Sequence, residues 1–394
     1  MQLVGRHYRS GNAIRIDIAE DRIASVEAMT ETNEENMTDT LGHAALPLIA
    51  PSLFDLQING YGGIWFCKEA LTAEEVLQTL KPHYAFGVTR LCPTLITNSF
   101  EAIADGFDAI RDACEQEEWA NAMVSGCHLE GPYISEIDGP RGAHPLEHVR
   151  SADWDEFEHW QEISGDRIRL VTLAAEADGA IPFIKQAVKN GIVIAIGHTA
   201  ANSDQIAAAV DAGARLSTHL GNAAHGTIRR HPNYIWDQLA DERLYASIIS
   251  DGQHLPPSVL QTIVRAKTPE KTLITSDAAG LAGCEPGLYH EPFGDFEMLN
   301  DGRLVVAGQT QLLAGSSAHT ADCVAHLLNV TDLSLAQVID MASNQPAALL
   351  GFEEVHLRPG SRADLMAFHW RGPGSELDIT ATIANGTLQY RKEA

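Results

Sequence analysis

Four short stretches of this chain carry side chains able to hold and use a divalent cation. They are His128-Leu-Glu130-Gly131-Pro132, Gly197-His198, Thr218-His219-Leu-Gly-Asn222-Ala223 and Ser276-Asp277-Ala278. A carboxylate and two imidazoles suit a catalytic cation site that keeps one coordination position open for water. Such a cation drops the pKa of a bound water to about 7 and polarises an amide carbonyl. Asp277 can then take the proton from that water and pass it to a leaving amine. The expected ligands are therefore Glu130, His198 and His219 around one divalent metal ion per subunit. Zinc comes first; iron, cobalt and manganese suit the same donors, and availability decides among them.

A bland reading competes for each residue. Most of the 17 histidines should be structural or at the surface, and His7, His159, His290, His356 and His369 are read that way. Asp277 could simply cap a helix after its strand, a role aspartate fills readily. What favours chemistry is the set: two histidines on adjacent strands, a glutamate two strands earlier and an aspartate two strands later.

The elements that must position this set are short apolar strands alternating with amphipathic helices. The expected strands are 48–59, 88–97, 123–130, 168–176, 192–198, 215–219, 245–251 and 272–277. Helices are expected at 73–86 and 203–212, the latter with Ser203 as N-cap. Near-continuous apolar strands separated by helices indicate a parallel sheet covered on its outer side. Eight such units predict an α/β fold, a (β/α)8 TIM barrel, whose active-site face is the one where the strands end. Residues 1–49 alternate in the β manner, interrupted by an acidic stretch from Glu31 to Asn36 that reads as a loop. The C-terminus alternates too, with Asn385-Gly386 as a hairpin turn. Neither end has enough apolar residues for its own core, so 1–49 and 355–394 should pair into one small β-sandwich beside a barrel at 50–354.

Composition sets outer bounds. With 394 residues and 45% hydrophobic content the chain can bury a large core. Its 27 basic against 53 acidic residues give a net charge of −26, which argues against nucleic acid and anionic membrane as partners. Any anionic substrate must be held by a local cluster of donors. The six cysteines are scattered without a CxxC pair, as expected of reduced thiols in a cytoplasmic protein. No stretch has the length and apolarity of a signal peptide or membrane span.

The segments above, with Pro51-Ser-Leu-Phe-Asp-Leu-Gln57-Ile-Asn59-Gly-Tyr-Gly-Gly63, Gly142-Ala143-His144-Pro145, Asp251-Gly-Gln-His254 and Ala314-Gly315-Ser-Ser317, resemble the N-acetylglucosamine-6-phosphate deacetylases of the amidohydrolase superfamily. The similarity extends over nearly the whole chain. The resemblance implies hydrolysis of N-acetylglucosamine 6-phosphate to glucosamine 6-phosphate and acetate by a metal-bound hydroxide, with Asp277 as base and then acid. It implies sugar contacts from Ala143, His144, Asn222, Ala223 and the Leu313-Ala314-Gly315 turn. It implies phosphate contacts from His254 and Arg230, the arginine reaching into a neighbouring subunit's site, and hence a homodimer. Relatives that bind two metals carry HxH on the first strand; here the positions are Gln57 and Asn59, amides that bind transition metals poorly. One metal is therefore expected. The segment Ala224-His-Gly-Thr-Ile-Arg-Arg-His231 and Gly221 depart from the family pattern at the sugar and phosphate end. The galacto epimer, or another N-acetylated sugar, is accordingly an alternative substrate, and a non-catalytic sugar-phosphate sensor a remote alternative class.

Overall fold

In a computed structural model of the chain, residues 1–29, 46–309 and 312–393 are described. The acidic stretch Glu31 to Asn36 lies outside them. Eight parallel strands form one sheet in strict chain order: Leu53–Ile58, Val88–Ile96, Cys127–Glu130, Ile168–Leu173, Val193–Ile196, Leu216–Ser217, Tyr245–Ile249 and Thr272–Thr275. The first and last meet through a bridge between Ile58 and Ala278, with Asn59 N donating to Ala278 O at 2.7 Å. The result is the expected barrel.

Alternation along each strand decides what fills it. Phe54, Leu56, Cys92, Leu170, Ala195, Leu216 and Leu273 share one apolar cluster inside, joined by Ala347 and Leu349 from the helix Asn344–Leu350. Their neighbours Leu53, Ile58, Leu91, Val171 and Ile194 belong instead to the large cluster under the outer helices. Above the inner cluster sits a polar layer. His128 Nε2 meets Thr172 Oγ1 at 2.7 Å, and Thr172 Oγ1 meets Thr218 Oγ1 at 2.7 Å. Buried polar groups persist only when hydrogen-bonded, and this layer is the platform beneath the strand ends.

Several boundaries differ from expectation. The span 48–59 breaks at Ser52 into Leu48–Pro51, which joins the small sheet, and the first barrel strand. Residues 118–123 form a helix, so the third strand starts at Cys127. The helix expected over 73–86 is α-helical over Ala73–Leu80 and tightens to a 3-10 helix over Lys81–Phe86, where Pro82 has no N–H to donate. Asn202, not Ser203, caps the helix Ser203–Ala212, in a reciprocal box with Gln205; Ser203 Oγ donates to Asp237 instead. No helix begins directly after Asp277; the next element is the strand Gly287–Glu291.

The two chain ends do meet as expected, in one mixed seven-stranded sheet that folds back so that strands from both ends face a shared core. Its order is Thr387–Arg391, Asp378–Ala384, Leu365–His369, Leu48–Pro51, Gln2–His7, Ala13–Ala19, Arg22–Ala28. Pairing of Leu48–Pro51 with a strand from each end makes the sheet continuous. Ile16, Ile23, Leu365 and Ile383 share one core, while Met366, Phe368 and Ile379 pack into the barrel's outer cluster. Asn385 (φ 46) and Gly386 (φ 71) form the expected tight hairpin turn. All six cysteines are free thiols, five of them buried. Among the described residues no helix is long and apolar enough to cross a membrane.

Candidate active site

Glu130 is the last residue of the third strand, and His198, His219 and Asp277 lie just past the fifth, sixth and eighth. His198 (φ 49), His219 (φ 29) and Asp277 (φ 52) all adopt left-handed backbone, which non-glycine residues rarely do. That conformation ends each strand earlier than its apolar run suggests. Such strain persists where surrounding structure enforces it, commonly at functional sites. Gly197 is required by close approach: a Cβ there would lie 2.7 Å from both Thr172 Cγ2 and Thr218 Cβ.

The side chains converge. Glu130 Oε1 is 3.0 Å from His219 Nε2 and 3.3 Å from His198 Nε2, and the two imidazole nitrogens are 3.1 Å apart. Donors about 2.0–2.1 Å from a tetrahedral zinc lie roughly 3.3 Å from one another. His198 Nδ1 faces Pro140 O at 3.0 Å; donating its proton there leaves Nε2 with a free lone pair directed at the cluster. Three buried acceptor atoms packed this closely repel one another unless a cation or proton lies between them, so the donor set fits a divalent cation. Glu130, His144 and His198 also offer ligand atoms within 4.8 Å of one another. His144 Nδ1 pairs with Thr97 Oγ1 at 2.8 Å, and its ring centroid is 4.3 Å from that of His198. The tighter spacing favours His219 as third ligand, with His144 beside the centre.

Gln57 and Asn59 sit underneath. Gln57 Nε2 donates to Glu130 Oε1 at 2.8 Å and to Asp277 Oδ1 at 2.9 Å, while Asn59 Nδ2 donates to the same Oδ1 at 2.7 Å. The first-strand amides thus orient both carboxylates. Burial, then the Glu130 charge, push the Asp277 carboxyl up to about 7. Asp55 anchors this corner by accepting from Ser276 N at 2.9 Å and Thr320 Oγ1 at 2.6 Å.

These residues form one end of a cavity of about 650 Å3. Ala143, His144, Asn222, Ala223, His254, Leu313, Ala314 and Gly315 all line it. His254 is held from behind, its Nδ1 2.8 Å from Asp251 Oδ2. Burial alone would raise the Asp251 carboxyl; His254 holds it down at about 2. Arg230 is exposed and does not line the cavity; its backbone O accepts from Asn233 Nδ2 at 3.2 Å. Sequence reasoning missed Trp65, Phe296 and Arg303, which do line it. Phe296 lies in, and Arg303 just before, a three-stranded antiparallel sheet, Gly287–Glu291, Gly294–Met298 and Leu304–Val306. The Pro292-Phe293-Gly294 turn was its available signal.

A model of the Amidohydrolase family matches residues 48–388. The N-acetylglucosamine-6-phosphate deacetylase of Bos taurus is 32% identical over 363 residues, covering 88% of this chain and 84% of that protein. The N-acetylgalactosamine-6-phosphate deacetylase of Escherichia coli O157:H7 is 30% identical over 356 residues, covering 90% of each. Among solved structures, N-acetyl-D-glucosamine-6-phosphate deacetylase from Mycobacterium smegmatis superposes with a TM-score of 0.84 at 29% identity, covering 95% of both chains.

Proposed function

The chain belongs to the amidohydrolase family, and within it to the N-acetylglucosamine-6-phosphate deacetylases; from that premise we propose that it hydrolyses N-acetylglucosamine 6-phosphate to glucosamine 6-phosphate and acetate. The observation that carries this reading is the convergence of Glu130, His198 and His219 within 3.0–3.3 Å at the floor of a cavity that Asp277 also lines.

Glu130, His198 and His219 would hold one divalent cation, which when bound lowers the pKa of water and polarises a carbonyl. Asp277 takes the proton of the attacking water as that oxygen adds to the acetyl carbonyl carbon. It returns the proton to the amide nitrogen as the C–N bond breaks, so the amine leaves neutral. Gln57 and Asn59 fix Asp277 Oδ1, which has no other hydrogen bond among the described residues. His144 and Asn222 supply polar groups for the sugar, and Leu313 to Gly315 cover it. His254, backed by Asp251, faces the phosphate end. Arg230 serves the cavity of a second copy in a homodimer. Its exposure, and the lack of an ion-pair partner for it among the described residues, support that assignment.

Amine release from N-acetylglucosamine 6-phosphate, its galacto epimer and the dephosphorylated sugar tests this, after chelation and reloading with single metals. The gluco phosphate should turn over best, reloading should restore the activity that chelation removes, and Asp277→Asn should lower kcat by about 10²–10⁴-fold. Equal turnover of the dephosphorylated sugar would remove phosphate from the reading, and an undiminished Asp277→Asn rate would remove the aspartate.

A further inference from the structure

At the end of the barrel opposite the cation centre, where the strands begin, lies a second cavity of about 570 Å3 shared with the small domain. Arg90 from the second strand, Arg167 and Arg169 at the start of the fourth, and Arg362 from the small domain all line it. On a chain of net charge −26, four guanidiniums in one cavity stand against only two carboxylates, Asp166 and Glu353.

Among the described residues only Arg362 of the four makes an ion pair, although the Asp364 and Glu353 carboxylates still act on Arg90 through space. Arg362 is paired with Asp364 at 2.8 Å, and Glu353 is taken by Arg22 at 2.6 Å. Arg167 donates to the neutral amide oxygen of Asn121 at 2.8 Å. Arg90 donates to the backbone O of Glu353 at 3.3 Å and lies over the Phe54 ring. It is only 4% exposed, and its Nε has no hydrogen-bond partner. Leaving a buried N–H of a charged group unpaired costs free energy that a bound anion would recover. Arg169 has no ion-pair partner among the described residues. The residue is exposed, and its stem passes over Gly126 at the cavity's edge, where an added Cβ would fall 2.5 Å from Arg169 Cγ.

We propose that this cavity is a second anion site, binding a small phosphate-bearing molecule through Arg90, Arg167 and Arg169, independently of the sugar cavity. Planar guanidinium forks match phosphate oxygens two at a time. The volume falls within the range of small-molecule sites. Asn121 adds a polar group for the rest of the ligand.

Equilibrium dialysis of inorganic phosphate against the full metal-loaded chain tests this. The His254→Gln background is used because the sugar cavity has its own phosphate end. Phosphate should still bind that variant at one per chain. Adding Arg167→Gln with Arg169→Gln should weaken binding tenfold or more, while near-UV circular dichroism stays unchanged. Arg169→Lys, which keeps the charge but loses the fork, should weaken it severalfold. Should the double variant fail to fold, Arg169→Lys decides alone. Absence of binding to the His254→Gln chain, or affinity indifferent to the arginine substitutions, overturns the proposal.

Discussion

Gln57 and Asn59 occupy positions where binuclear relatives place metal-binding imidazoles, and here their amides donate to carboxylates instead. Gln57 spans Glu130 and Asp277, so it relieves repulsion between two buried negative groups. Asn59 favours the charged form of Asp277, acting against the burial that raises its pKa to about 7. The sign of its removal follows. A base works as the carboxylate, so kcat/KM falls as pH drops through the pKa of Asp277. A bound cation lowers that pKa, and losing the Asn59 donor raises it. Asn59→Ala should therefore move the acid limb of the kcat/KM profile to higher pH, and Asp277→Asn should abolish that limb. An acid limb in Asn59→Ala at or below the wild-type position would rule out this orienting role. The residue types at the centre were legible in the sequence because Glu, His and Asp advertise their chemistry. The amides' role was not, because it depends on which atoms lie within 3 Å.

Strand and helix existence were readable from apolar runs, whereas their ends were set by single residues. The fifth, sixth and eighth strands stop short where His198, His219 and Asp277 take left-handed backbone, a conformation His and Asp tolerate better than most residues but rarely adopt. The cap of the helix Ser203–Ala212 shows the same limit: Asn202 and Ser203 are both good cap types, and only backbone geometry chose between them. Asn202→Ala should cost about 0.5–2 kcal/mol of stability in denaturant unfolding. Ser203→Ala should cost less, since its hydroxyl only meets Asp237 near the surface. A reversed order would reject the assigned cap. The antiparallel insert that brings Phe296 and Arg303 to the cavity escaped notice because its strands are three to five residues long.

Across the whole molecule, the small sheet clamps the barrel's outer surface through Met366, Phe368 and Ile379. One end of the barrel carries the cation centre and the other the arginine-lined cavity. Arg230 belongs to this scale, since the role proposed for this exposed residue requires a second copy of the chain. Mixing inactive Asp277→Asn chains with Arg230→Ala chains should restore part of the activity, because a hybrid dimer has one site with both groups intact. Two weak variants that stay weak after mixing and exchange would place Arg230 outside the catalytic assembly.

The sequence by itself determined the barrel, the pairing of its ends and the identity of the groups at the centre. Periodic burial and the chemistry of residue types are local properties that a linear pattern carries. The tertiary structure alone decided that Leu48–Pro51 joins the strands of the two termini into one continuous sheet. It alone placed His219 nearer than His198 to Glu130, set the amides beneath the carboxylates and gathered distant arginines at the opposite end. Those outcomes depend on distances between residues far apart in the chain, which packing fixes and spacing along the sequence does not.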